Sequence, residues 1–162
     1  MSPGACTMSR RMNKYHSLPE RLLQLPMYLM MALTREGYRC AIASGVRVRL
    51  PHYAVLSVLA QFGSCSQKEI GERLGFDKSD ATKIINHLEG RALIQRTKDE
   101  VDRRRHAVTL TAKGKRQLAA SDAELLVCMR TFLRGLNRME YKEIKRLLLK
   151  ALQVHDRRFT PG

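Results

Sequence analysis

The stretch DKSDATKIINHLEGRAL, residues 77–93, decides the fold. Its apolar residues Ala81, Ile84, Ile85 and Leu88 fall at i, i+3, i+4 and i+7, so one face of a helix is built for burial. The other face carries Lys78, Ser79, Asp80, Thr82, Lys83, Asn86 and His87. These short polar or basic side chains suit phosphate oxygens and base edges when a helix lies in a major groove. Asp77 reads as the N-cap, and Asp80 adds a carboxylate where the helix dipole favours one. Alone, this is equally the pattern of an ordinary amphipathic helix with a solvated polar face. The flanking residues decide between the two.

Before it stands SQKEIGERLGF, residues 66–76. Ser66 and Glu69 have capping-box spacing, Ile70, Leu74 and Phe76 supply apolar contacts, and Gly75 sits where a left-handed residue closes a helix. After it stands IQRTKDEVDRRRHAVTLT, residues 94–111. Ile94 begins one strand and residues 107–110 read as its partner. The charged middle is a hairpin tip whose burial would be costly. Helix, helix and basic hairpin in this order predict a winged helix-turn-helix. The fold class expected is mainly α with a small β-hairpin wing, the winged domain being flanked by N- and C-terminal dimerisation helices.

The same residues carry a resemblance to a family. LPHYAVLSVLAQFGSCSQKEIGERLGFDKSDATKIINHLEGRALIQRTKDEVDRRRHAVTLTAKG, residues 50–114, resembles the MarR (multiple antibiotic resistance regulator) transcription factors. The sharpest match is DRR at 102–104 followed by VTLTAKG at 108–114. The resemblance implies that Asp102 orients Arg104 into the minor groove while Arg103 and Arg105 lie near phosphates. Two departures stand out. Ala92 replaces the glycine usual just past the recognition helix, with Gly90 two residues earlier, and the wing entry Asp99-Glu100-Val101-Asp102 lacks the family's proline. The candidate DNA contacts are Ser66 and Gln67 on the first helix, and Lys78, Ser79, Thr82, Lys83 and Asn86 on the second. On the wing they are Lys98, Asp102, Arg103, Arg104 and Arg105.

The 162 residues carry a formal net charge of +15, which favours a polyanionic partner. The excess is +6 over residues 1–49, +5 over 66–116 and +4 over 117–162, so it is spread along the chain. Basicity alone fits an RNA-associated protein equally well; the helix-turn-helix order tips the balance. No run approaches the roughly 20 apolar residues of a membrane span, and the N-terminus lacks the apolar core of a secretory signal. Residues 1–16 read as a flexible basic arm, and a cytoplasmic location is expected.

Residues 17–49 read as a first dimerisation helix, regular over about 17–46. Ser17 and Glu20 have capping-box spacing, Pro19 lies in the first turn, and Leu22, Leu25, Leu29 and Leu33 form a stripe. Pro26 is expected to bend this helix or delay its regular start. The Met-rich run 27–33 suits an adaptable pocket, though plain core or interface is the commoner role. The DNA-binding domain spans 50–111. Within it Pro51 opens an all-round apolar helix ended by Gly63, and Ser64-Cys65 has room for a very short strand pairing with the wing. Residues 112–162 read as C-terminal dimerisation helices. Thr111 caps one helix running to about Leu136, and Asn137 with Glu140 begins another with a Tyr141, Ile144, Leu148, Leu152 stripe. Such helices need a surface to bury against, and a twofold copy supplies one. The resemblance implies the same dimer, whose two recognition helices about one DNA turn apart require a pseudo-palindromic operator.

No phosphate loop, metal-ligand spacing or nucleophile elbow is present, so neither an enzyme nor a metal site is expected, and no cofactor. The five histidines are scattered; His52 is placed to orient a ligand but reads more simply as a partly exposed polar residue. Cys6, Cys40, Cys65 and Cys128 contain no close sequence pair and read as inert thiols. The partners expected are double-stranded DNA, a second copy of the chain, and a small aromatic or anionic effector that releases a repressor from its operator. Three other readings remain: a non-sequence-specific architectural protein, a cysteine-based redox-sensing regulator of the same fold, and an interaction scaffold with a vestigial DNA domain.

Overall fold

The computed structural model describes residues 17–98 and 106–160, apart from the side chains of Lys98 and His106. The chain divides into two compact units, residues 1–38 and 39–162. Helix α1 (Glu20–Leu23) and most of α2 (Pro26–Ala43) belong to the first. The second runs α3 (Leu50–Phe62), β1 (Cys65–Ser66), α4 (Gln67–Leu74), α5 (Lys78–Gly90), β2 (Ile94–Lys98), β3 (His106–Leu110), α6 (Ala112–Phe132) and α7 (Arg138–Gln153). A 3-10 turn at Arg157–Phe159 follows.

The expected long first helix is interrupted. Proline lacks an N–H and its ring clashes with the carbonyl four residues back, so Pro26 ends the run and stands instead as the first residue of α2. The expected Ser17–Glu20 capping box does not form: Pro19 occupies the N-cap of α1 and offers no side-chain acceptor. The helix expected to run from Thr111 to about Leu136, α6, also stops early, at Phe132, because Gly135 propagates a helix poorly and Asn137 is already committed to capping α7.

The other caps fall where the residue types put them. Ser66 and Glu69 close a capping box on α4, and Gly75 ends that helix at φ 69°. Asp77 accepts from the Asp80 N–H, Thr111 from the Gly114 N–H, and Asn137 forms a second capping box with Glu140. Each satisfies donors that a helix start leaves orphaned.

The sheet is antiparallel in the order β1-β3-β2. Val108, in the middle, pairs with Cys65 on one side and Arg96 on the other. The short strand thus forms one residue later than the sequence suggested. Val55, Leu56 and Leu59 of α3 pack with Ile70, Ile85, Leu88, Ile94 and Val108, all buried, into one core under the helix-turn-helix. That core fixes the face of α5 left to solvent.

Gly114 explains itself at this junction. A Cβ there would lie 1.9 Å from the Leu93 carbonyl oxygen, so only glycine lets α6 start against the strand entry. The Thr111 hydroxyl donates to the Ala92 carbonyl at 2.8 Å, tying the same start to the end of α5.

Candidate nucleic-acid interface and neighbouring cavity

Helix α5 buries Ala81, Ile85 and Leu88 and half-buries Ile84, as the periodicity required. Lys78, Ser79, Lys83 and Asn86 are exposed and Thr82 is half-buried. The Lys83–Asp80 contact of 3.6 Å is a solvated i,i+3 pair and holds Lys83 only weakly.

Four of the polar candidates, Ser66, Gln67, Thr82 and Asn86, are already engaged with the protein. Gln67 Nε2 donates to Thr82 Oγ1 at 2.6 Å, and Thr82 Oγ1 donates to the Lys78 carbonyl at 2.6 Å. Arg96 on β2 donates to Asn86 Oδ1 at 2.7 Å and to Gln67 Oε1 at 3.3 Å, and it pairs with the Glu89 carboxylate. One guanidinium therefore ties the wing strand to both helices of the motif. Its planar fork can serve three acceptors, which an ammonium could not do in one plane. Ser66 is used as the α4 cap, its Oγ accepting the Glu69 N–H at 3.2 Å. Residues 99–105, with Asp102, Arg103, Arg104 and Arg105, lie outside the described residues, as does the Lys98 side chain.

Arg96 was not among the sequence candidates. Alternation along β2 makes it a sheet residue, and only the fold shows that it points at α5. Another unforeseen contact involves the C-terminal turn. Arg158 donates to the Glu72 carbonyl at 3.3 Å and holds Asp156 at 2.8 Å, and a Cβ on Gly75 would stand 2.1 Å from its Nη1. A cation at the end of α4 also suits that helix's dipole.

The C-terminal end of α5 is unusual for a helix end. The Ala92 N–H donates to the Glu89 carbonyl at 2.7 Å and the Leu93 N–H to the Leu88 carbonyl at 3.0 Å. This is a Schellman motif whose left-handed position is Ala92, at φ 56°. The departure seen in the sequence is accommodated by straining an alanine and not by reshaping the turn.

Beside this end lies a cavity of about 370 Å³, lined by Arg47, Arg49, His52, His87, Arg91 and Gln117 over Val48, Leu56, Leu88 and Leu93. No carboxylate lines it. The His52 and His87 rings meet edge to face at 4.9 Å. Burial, then the charges of His87, Arg49 and Arg91, hold the His52 imidazole below its ordinary pKa and so favour its neutral form. Its Nδ1 is buried without a partner among the described residues. His52 as a whole is partly exposed, as expected, and it is the Nδ1 atom that is enclosed.

Among the described residues no group of three or more His, Cys, Asp or Glu is placed to hold a metal ion. No described helix is long and apolar enough to cross a membrane.

A three-helix core, a short strand closing onto a hairpin, and an α5 whose polar face is left outside define a winged helix-turn-helix of the DNA-binding class. Residues 45–105 match the model of the MarR family, and this winged helix-turn-helix region is of the MarR type. It is 31% identical over 121 residues to the HTH-type transcriptional regulator TtmR of Methylorubrum extorquens; the match covers 75% of this chain and 59% of the relative's length. Among solved structures it is similar to the PcaV regulator of Streptomyces coelicolor in complex with its natural ligand. That match has TM-score 0.74 and 24% identity, and covers 88% of this chain and 100% of that one. It is also similar to the repressor CouR bound to a 23-mer DNA duplex (TM-score 0.73, 24% identity, 85% and 99% covered). At these identities the two structures support the fold.

Proposed function

We propose that this protein is a cytoplasmic repressor that binds a pseudo-palindromic DNA operator as a homodimer and is released by a small anionic effector with an apolar, aromatic body. The observation that carries the DNA reading is the exposed polar and cationic face of α5 on a buried helix-turn-helix core. In this reading Lys78, Ser79 and Lys83 meet DNA directly, while Arg96 pre-organises Gln67 and Asn86 to present their remaining amide donors to base edges, and Thr82, whose hydroxyl proton goes to the Lys78 carbonyl, offers only its oxygen and methyl group. Ser66 contributes through the α4 N-terminus that it caps, and Lys98 with Asp102, Arg103, Arg104 and Arg105 forms the wing contact. CouR with its duplex supports the DNA partner.

The homodimer is supported by apolar side chains that no described residue covers. Helix α7 buries no residue, and Met139, Tyr141, Leu147, Leu148 and Leu152 stand exposed along it. Within the first unit Met27, Met30 and Met31 are likewise exposed. Apolar surface of this kind on a helix is stable when a partner covers it. Residues 17–49 and 112–162 are the dimerisation segments in this reading, and 50–111 the DNA-binding domain.

The effector reading rests on the cavity at the end of α5. Three guanidiniums with no lining carboxylate attract an anion, and the aliphatic floor suits a flat apolar body. PcaV, solved with a natural ligand, supports ligand response in a protein of this fold. A ligand touching both α3 and α5 changes the tilt of the reading helix and so the spacing of the two half-site contacts.

The deciding experiment is selection from a random duplex pool at near-physiological salt. An enriched inverted repeat, bound at least about a thousandfold more tightly than scrambled DNA, is the expected result. Uniform salt-sensitive binding without enrichment would replace the operator reading with an architectural one. Benzoate against benzamide in a thermal-shift assay then tests the cavity: the anion alone should stabilise, and Arg91→Ala should abolish its effect.

A further inference from the structure

Sequence spacing leaves the cysteines unpaired, but the fold brings two of them together. Cys40, near the end of α2, and Cys128, near the end of α6, are 88 residues apart, and the Cys40 thiol donates to the Cys128 carbonyl at 3.7 Å. Both Cys40 and Ser44 lie near enough to the Cys128 thiol to act on its pKa, Cys40 raising it and the Ser44 hydroxyl lowering it. Cys40 Sγ stands 3.9 Å from the same hydroxyl. Two thiols and a hydroxyl thus form one cluster, and both cysteines are free thiols. Cys65, also free, is a member of the apolar core under the helix-turn-helix, among aliphatic side chains.

The two clustered thiols differ in access. Cys40 is half-buried while Cys128 is only 5% exposed. An oxidant arriving from solvent therefore meets Cys40 first, and Cys128 is held behind it.

We propose that Cys40 and Cys128 form a dithiol redox site, which a hydroperoxide closes to an intrachain disulfide joining α2 to α6. In the first step the Cys40 thiolate attacks the peroxide's terminal oxygen. The S–O bond forms, the O–O bond breaks, and the alcohol (water, for hydrogen peroxide) leaves with the proton shed by Cys40. In the second step the Cys128 sulfur attacks the Cys40 sulfenic acid; the S–S bond forms, the S–O bond breaks, and hydroxide leaves with the Cys128 proton as water. The peroxide gains the two electrons that the thiol pair loses. Burial, and the neighbouring Cys40, push the Cys128 thiol above its ordinary range. That suits it to the second role, where approach is intramolecular, and not to the first.

The consequence is local and independent of the DNA reading. The last turn of α2 leads directly into the loop bearing Arg47 and Arg49, which line the cavity beside α5. A covalent link from Cys40 to α6 would fix that loop's origin, adding oxidation as an input to the same wall of the cavity.

The test uses the full chain, fully reduced and then exposed to a few equivalents of hydrogen peroxide. After thiol blocking and non-reducing digestion, mass spectrometry should find the peptides of Cys40 and Cys128 linked, while Cys6 and Cys65 remain alkylatable. In Cys128→Ser the reaction should stop at a Cys40 sulfenic acid that dimedone captures. In a Cys6→Ser/Cys65→Ser background, oxidation should raise the melting midpoint by on the order of 10 °C, because the bridge closes a long loop in the unfolded chain. The proposal is overturned if Cys40 and Cys128 stay alkylatable while other cysteines oxidise, or if bridges form through Cys6 or Cys65. It is equally overturned if Cys40 gives the same dimedone adduct with Cys128 present as without it.

Discussion

Moving one glycine by two residues should stabilise this protein twice over. Ala92 holds the left-handed position of the Schellman turn at φ 56°, while Gly90 lies inside the last turn of α5, where left-handed freedom has no use. A β-carbon in the left-handed region costs about 1–2 kcal/mol. Replacing it with glycine returns about 0.4–1 kcal/mol of that to the unfolded chain's entropy. Ala92→Gly should therefore gain about 1 kcal/mol. At Gly90 the balance reverses. A Cβ there meets nothing within 4 Å, so Gly90→Ala should add about 0.5–1 kcal/mol through helix propensity and a less flexible unfolded state. The two sites share one helix end but no side-chain contact, so the double variant should gain close to the sum. Urea unfolding followed by circular dichroism is the assay, and each single change should move the midpoint by roughly 0.5 M at unchanged slope. A midpoint for Ala92→Gly equal to or below the parent's would show that the alanine is not strained. The Schellman reading of the turn would then be wrong.

Arg96→Ala should destabilise the domain by about 2 kcal/mol, the scale for losing hydrogen bonds to a charged group, and should weaken operator binding. If Arg96 instead serves as a phosphate contact, stability stays constant and only the salt dependence of binding falls. Gly114→Ala should cost about 3 kcal/mol or more, because the methyl meets backbone and not a flexible side-chain end; a melting point within 2–3 °C of the parent would contradict the geometry. His52 has a folded pKa below its ordinary 6.5, so the unfolded chain binds more protons as pH falls. Its contribution to stability is present above about pH 6.5 and is lost as pH falls from there through the lower folded pKa. His52→Gln should flatten the decline between pH 7 and 5, and an identical slope in the variant would remove His52 as its source. Leu148→Ala with Leu152→Ala should convert dimer to monomer or aggregate, and an unchanged dimer by light scattering would move the interface elsewhere.

The parts of this fold that were legible in the sequence are those governed by short-range chemistry. Ser66 with Glu69, Asp77, Thr111 and Asn137 with Glu140 each answer the orphaned donors of a helix start within three residues. The burial of Ala81, Ile85 and Leu88 follows from period alone. The misreadings have the same origin viewed from the other side. Ser17 and Glu20 have the spacing of a capping box, but Pro19 between them takes the N-cap position itself. A helix end near 136 looked plausible because Leu136 continues an apolar stripe, although Gly135 and the Asn137 cap compete with it.

What sequence could not show is which polar groups are already satisfied. Gln67, Thr82 and Asn86 look like three free readers of DNA when only the face of a helix is known. The structure makes them acceptors and donors in one network centred on a strand residue ten positions beyond Asn86. Arg96 is an odd-looking charge in a five-residue strand, and nothing local says that it faces α5. The same holds for His52 and the three arginines around it, gathered from the α2–α3 loop, α3 and the end of α5. It holds again for Cys40 and Cys128, which 88 residues of chain separate and two helices reunite. In each case the chemistry depends on the distance between side chains remote in sequence. Pattern reading therefore finds the surface that meets DNA more readily than the groups that hold it in place or regulate it.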